Sequence, residues 1–221
     1  MKHKMTLLIL LLLTTSAIQS CSGDIKMDKI PELQSGSPLS GIKPLIFAVT
    51  HFKNAAGDEG IIGKPGGVWP DFKTDRPVDD IVRQAIINEL IRNGHEVLSP
   101  ESASKASVII DGTVRQYWAW HKMAKIPHFH GHVLGHVNVD ITVRFSDSGT
   151  ILTKTYNGTS DLETQGFTKR NCESALNEAL LRMLKDFTMD PDLLDGLNKV
   201  GKVSLQLIQR SVPQNKRIFL I

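Results

Sequence analysis

Apolar and polar residues alternate one by one along "VNVDITVRFSD", residues 137 to 147. Val137, Val139, Ile141, Val143 and Phe145 fall on one side; Asn138, Asp140, Thr142 and Arg144 fall on the other. A period of two predicts a strand with one covered and one wet face. Ser148-Gly149 makes a tight turn, and "TILTKTYNGTSDLE" returns as the hairpin partner. Upstream, "SVIIDGTVRQYWAW" (107 to 120) reads as a long strand with Gly112 as a bulge, "IKPLIFAVTHF" (42 to 52) as a first strand and "HEVLS" (95 to 99) as a short one.

Two stretches switch to helical spacing. Val78, Ile81, Val82, Ala85, Ile86, Glu89 and Leu90 recur at steps of three and four, all but Glu89 apolar. Pro77 suits the first turn, Asp79 and Asp80 favour the positive end of the dipole, and Asn93-Gly94 supplies the stop. A second helix spans roughly Lys169 to Phe187, with Cys172, Leu176, Leu180, Met183, Leu184 and Phe187 as its stripe and Ala175 and Ala179 beside it. These elements predict an α+β fold: two layers, two amphipathic helices packed on a mostly antiparallel sheet. After it comes a short helix over 191 to 199, then a C-terminal extension over 200 to 221 in which "VSLQLI" could add a strand.

Asn54 to Pro77 carries no periodicity and five glycines, so it reads as a surface loop. It is not a phosphate cradle. Gly63-Lys64 is followed by Pro65, and no glycine sits five before Gly63. Residues 22 to 41, broken by Pro31, Gly36, Pro38 and Gly41, read as a flexible tether, which leaves 42 to 199 as the folded domain.

The front end explains a tether. Lys2, His3 and Lys4 precede seven apolar residues, Leu7 to Leu13, and then Thr14, Thr15, Ser16 and Ala17. This is a signal peptide over residues 1 to 20, too short to span a bilayer, which needs about 20 apolar residues. Ile18-Gln19-Ser20-Cys21 resembles the bacterial lipobox, with Ile18, Ser20 and Cys21 matching and Gln19 departing from the small residue usual there. The resemblance implies that Cys21 becomes a lipidated (diacylglyceryl, palmitate-type) N-terminus. One acyl chain holds a protein only marginally, whereas two or three on one cysteine anchor it stably. Ser22, rather than Asp, follows the cysteine, which by resemblance to enteric lipoproteins implies the periplasmic face of the outer membrane.

Charge adds little. Loss of Lys2 and Lys4 from 26 basic residues leaves 24 against 23 acidic, a net of +1, with no field that argues for nucleic acid. With Cys21 lipidated, Cys172 has no disulfide partner, and its place on an apolar helical face predicts a buried structural thiol.

One cluster stands apart. Residues 121 to 136, "HKMAKIPHFHGHVLGH", hold five of the chain's eight histidines. In an extended segment His128, His130, His132 and His136 share one side. Their imidazoles suit Zn²⁺, Cu²⁺ or Ni²⁺ at about 2 Å, with Asp140 the nearest carboxylate in sequence. Pro127, Gly131 and Gly135 equally suit a plain hairpin loop, and titration of several imidazoles below about pH 6.5 is a third reading. Trp118 and Trp120 lie just upstream, exposed at a partner surface or drawn into the core. No His-Glu-x-x-His or Gly-x-Ser-x-Gly signature occurs.

The order of elements resembles the YajG-like group of bacterial envelope lipoproteins, and through it the fold of the TolB N-terminal domain and the CsgG and FlgT periplasmic domains. It is carried over about Lys43 to Leu197 by "FAVTHFKN", "INELIRNGHEVL", "ASVIIDGTV", "GTILTKTYNG" and "LNEALLRMLKD". The histidine-rich segment and the C-terminal stretch depart from the group. The resemblance implies a non-enzymatic, cofactor-free envelope protein, held by its lipid and presenting the 54 to 77 loop and the 118 to 136 hairpin tip to an envelope partner. The alternative is a periplasmic transition-metal-binding lipoprotein using the four histidines.

Overall fold

A computed structural model describes residues 24–25, 27, 30–33, 36–57, 61–64, 72–123, 131–146, 149–164 and 168–211. Its strands are β1 (Ile46–Asn54), β2 (Ile61–Lys64), β3 (Phe72–Lys73), β4 (Glu96–Leu98), β5 (Val108–Met123), β6 (Gly131–Phe145) and β7 (Ile151–Thr164). Helices α1 (Val78–Arg92), α2 (Lys169–Thr188) and α3 (Pro191–Ser211) complete it. The result is an α+β fold on one mixed seven-stranded sheet. The long ladders β5–β6 and β6–β7 are antiparallel, whereas β1 runs parallel to both β4 and β5.

The helices form where the periodicity placed them. Each apolar position of the α1 stripe is buried, and so is Glu89. Its carboxylate is held by Arg92 and by Asn93 Nδ2 at 2.9 Å, so the charge enters the core paired. Gly94 takes φ 86° at the stop, a conformation that disfavours side chains. Thr168 caps α2 by accepting the Asn171 N–H at 3.2 Å, and the whole Cys172–Phe187 stripe is buried. α1 packs on β1, and α2 crosses β6 and β7.

Four expectations are corrected. The 54 to 77 segment is not all loop, because it contains β2 and β3. The sixteen residues of β5 overrun β1, and β2 takes up the exposed ladder by pairing at Ala119 and Trp120. The bulge in β5 falls between Val114 and Gln116 rather than at Gly112. Gly112 instead makes room for the Phe52 ring, into which a Cβ would run. "VSLQLI" is not a strand. α3 continues through it to Ser211, since extending an existing helix costs no second nucleation.

The fourth correction concerns the tether. Ile25, Met27, Leu39 and Ile42 belong to the hydrophobic core. Ile25 bridges to Thr74, donates its N–H to the Lys73 carbonyl at 2.6 Å and accepts the Asp75 N–H at 3.2 Å. Met27 donates its N–H to Asp75 Oδ1 at 3.1 Å. Ser37 caps a short 3-10 turn, Pro38–Gly41, which buries Leu39. A strap thus wraps the body where a loose linker was expected. Pro38 and Gly41, two of the residues that suggest looseness, are the first and last residues of the 3-10 turn.

Candidate functional site

Strands β5 to β7 have two unlike faces. Odd-numbered residues of β6 are buried beneath α2, while its even-numbered residues from His132 to Arg144 are half-buried or exposed. β7 alternates in step. No described helix of this fold covers the second face, so the even residues of β6 and their partners form an open sheet surface.

The bulge in β5 decides what this surface carries. Before it, the even residues Val108, Ile110 and Val114 point into the core; after it, the odd residues Tyr117 and Ala119 do. The change of parity turns Trp118 and Trp120 outward, both half-buried. Across the ladder they face His136 and Leu134. Trp120 stacks on His136 with ring centroids 4.6 Å apart and planes 30° from parallel. Thr159 and Asp161 of β7 complete these two rows. Beside them, Asn138 and Asn157 pair side chain to side chain.

The other end of the open face is polar. His51, Lys53, Asp111, Thr113, Asp140 and Arg144 line a shallow depression of about 350 Å³. Arg144 pairs with Asp111 at 2.5 Å, and Arg115 with Asp140 at 2.7 Å. The hydrogen bond from Thr155 at 2.6 Å, together with Arg115, holds the Asp140 carboxyl below its ordinary range. Both carboxylates are therefore committed to arginines, which makes this end a charge-balanced surface.

The histidines separate. His132 and His136 share the open face, as alternation requires, but Leu134 lies between them. Four residues of strand span about 13 Å, too far for one ion to touch both rings. His132 Nδ1 pairs with Asp161 Oδ1 at 2.5 Å, whereas His136 is engaged by Trp120. His128 and His130 lie outside the described residues, as does Cys21. Among the described residues, no group of three His, Cys, Asp or Glu side chains converges on one point. The expected hairpin loop over 121 to 136 is largely ladder: β5 runs to Met123 and β6 starts at Gly131.

Cys172 is fully buried, as its helical position predicted, and burial pushes its thiol up to about 12. It is a structural thiol, not a nucleophile. Among the described residues, no helix is long and apolar enough to cross a membrane. Sequence reasoning missed the joint platform of Trp118, Trp120, Leu134 and His136. The alternation of β6 was visible, but the parity change at Arg115 has no signature of its own.

No family model and no curated protein matches the chain. Solved structures do. The Xanthomonas campestris protein XCC0632, of the DUF330 family, superposes with TM-score 0.53 at 11% identity, over 83% of this chain and 99% of its own. This likeness shows the fold. Lipoprotein GNA1162 from Neisseria meningitidis matches with TM-score 0.29 at 12% identity, over 75% of this chain and 99% of its own. A minor lipoprotein from Acinetobacter baumannii matches with TM-score 0.33 at 13% identity, over 73% and 94%.

Proposed function

We propose that the chain is a non-enzymatic bacterial envelope lipoprotein of YajG-like type. Acyl chains on Cys21 hold it at the periplasmic face of the outer membrane, and its open sheet face meets another envelope component. The observation that carries the second half is the aromatic platform. Two tryptophans, a residue type enriched where proteins meet, are turned out of the core by a bulge and set beside His136 and Leu134. The lipobox residues Ile18, Ser20 and Cys21 support the first half.

A photo-crosslinking residue at Trp118, in intact envelopes, tests the platform, with the same residue at Thr153 on the polar end as reference. A discrete adduct at position 118 and none at 153 is expected. No adduct, or one pattern at both, removes the reading. Cys21→Ser tests the anchor: the variant should lose palmitate labelling and membrane fractionation together.

A transition-metal reading keeps one supporting observation. Asp161 orients His132 through Nδ1, as carboxylates do behind metal-bound imidazoles, which leaves Nε2 for an ion. Zn²⁺, Cu²⁺ and Ni²⁺ titrations of the protein, with His132→Ala as control, test it. Micromolar affinity lost in the variant supports a site near the hairpin tip, and no binding ends the reading.

A further inference from the structure

The strap sets how far the body can stand from a membrane. A free linker over residues 21 to 41 would reach up to about 70 Å when extended. The chain instead enters the core at Ile25, four steps after Cys21. Ile25 is 1% exposed and bonded through both its N–H and its carbonyl to the Lys73–Asp75 backbone. Four steps span at most about 14 Å, whatever path residues 22 to 24 follow.

We infer that the corner formed by Ile25, Lys73, Thr74 and Asp75 rests against the phospholipid headgroups, so that the lipid holds the body in a fixed attitude. This rests on lipidation of Cys21, as read above. With the acyl chains in the hydrocarbon, the Cys21 backbone sits at headgroup depth. The headgroup layer is about 5 to 8 Å thick on each side. A leash of about 14 Å leaves the corner within or just above it. The occupant of this surface is therefore the lipid interface. The corner itself is not strongly charged: Lys73 lies between exposed Asp24 and Asp75, so the leash holds it there and electrostatic attraction adds little.

The register fixes what else comes close. β3 lies two strands from β5, level with Tyr117 through the pairings of β2 with both. Strand spacings place Ile25 about 20 Å from Trp120, on the anchored half of the sheet. Thr153 on β7 lies roughly 25 Å from Lys73, four strands across and five residues along. The aromatic platform is thus the membrane-proximal part of the open face, and the charge-balanced depression is the distal part. A component that binds the platform must itself lie at the membrane surface.

The test uses the full chain, matured in cells and reconstituted in phosphatidylethanolamine–phosphatidylglycerol vesicles. Acylation of Cys21 is confirmed by mass. The thiol of Cys172 is buried, so Lys73→Cys and Thr153→Cys each present one labelling site. Quenching of a fluorophore there by headgroup spin-labelled lipid should be at least twofold stronger at 73 than at 153. Twenty Gly/Ser residues inserted after Ser22, upstream of the strap, should bring position 73 down to the level of 153. Equal quenching at both positions, or quenching at 73 that survives the insertion, overturns the inference while leaving lipidation intact. A mature protein without acyl chains overturns both.

Discussion

The two faces of β5 to β7 are built from the same three strands and answer to opposite demands. On the inner face, Gly135 and Gly158 lie directly beneath the α2 backbone, where a Cβ would run into the carbonyls of Ala175 and Ala179. Ser160 donates to the Ala175 carbonyl at 2.7 Å and accepts the Gly135 N–H at 3.2 Å, which ties helix to sheet. At this contact Gly135, Gly158 and Ser160 are small, so that two backbones can approach. On the outer face, one residue away in each case, side chains project away from the helix: His136 beside Gly135, Asn157 beside Gly158. Stability is concentrated on the first face, which leaves the second available for recognition.

The sharpest way to break this comparison is to fill the inner face. Gly158→Val would put side-chain atoms where backbone atoms of Ala179 and Met183 now stand, and a helix backbone cannot step aside as a side chain can. A loss of about 3 kcal/mol or more in urea unfolding is expected, or failure to fold. Thr159→Ala, its outward neighbour, should change stability by less than about 0.5 kcal/mol. If both variants unfold at the wild-type midpoint, α2 is not seated on this strand.

Asp190 gives the next largest effect, at the seam between α2 and α3. It is 6% exposed and accepts from Lys154 Nζ at 2.9 Å, the Tyr156 hydroxyl at 2.7 Å and the Asp192 N–H at 2.9 Å. Burial alone would raise its carboxyl. The hydrogen bonds from Lys154 and Tyr156 outweigh burial and hold it below the ordinary range. Asp190→Ala strands these donors and removes the α3 cap, a loss of about 2–3 kcal/mol. Asp190→Asn, which keeps the capping oxygen, should lose less. Equal loss in both variants would assign the effect to the charge alone.

How much of this was legible beforehand follows from what each signal measures. The helical stripes and the alternation of β6 are local; they place α1 and α2 almost to the residue, whereas β6 starts at Gly131, six residues before the expected Val137. The strap reads as a tether from sequence because its apolar anchors, Ile25, Met27 and Leu39, are few and sit among polar residues, prolines and glycines with no sustained period. Their burial depends on gaps left by β3 and α1, which no short window contains. β2 and β3 were invisible for a similar reason, since they are strands only because β5 overruns its neighbour. The platform required one tertiary fact, the parity change at Arg115. The four-histidine cluster is only half described: alternation puts His132 and His136 on one side, about 13 Å apart along the strand, and His128 and His130 lie outside the described residues.

His95 offers a gentler probe of the inner side. Its ring is buried against Phe47, with centroids 5.0 Å apart, and Nδ1 accepts the Leu45 N–H at 3.3 Å. Burial holds its pKa below the ordinary value, and the Leu39 carbonyl offsets only part of that. The unfolded chain therefore takes up the proton first as pH falls. The stability contributed by neutral His95 is full above about pH 6.5 and is lost as pH drops below it. Urea midpoints at pH 7.5 and 5.5 should differ in that direction, and His95→Gln should flatten the slope. The Asp190 contribution is lost separately, below about pH 4. A wild-type midpoint unchanged between pH 7.5 and 5.5 would contradict the burial of this ring.

The smallest expected effect on stability is the most informative about function. His136→Ala removes one partner of the Trp120 stack on the outer face. Aromatic pairs contribute about 0.5–1.5 kcal/mol, and this half-buried pair belongs at the low end, so the urea midpoint should move little. The same change removes the ring that sets the tilt of Trp120 and opens a gap beside Trp118. The position-118 crosslink in intact envelopes should then weaken strongly while the fold stays intact. Thr153→Ala, in the distal row, should leave both stability and crosslink as they are. If instead His136→Ala costs as much as filling Gly158, the aromatic patch belongs to the core, and the division of labour between the two faces fails at the point where it was drawn.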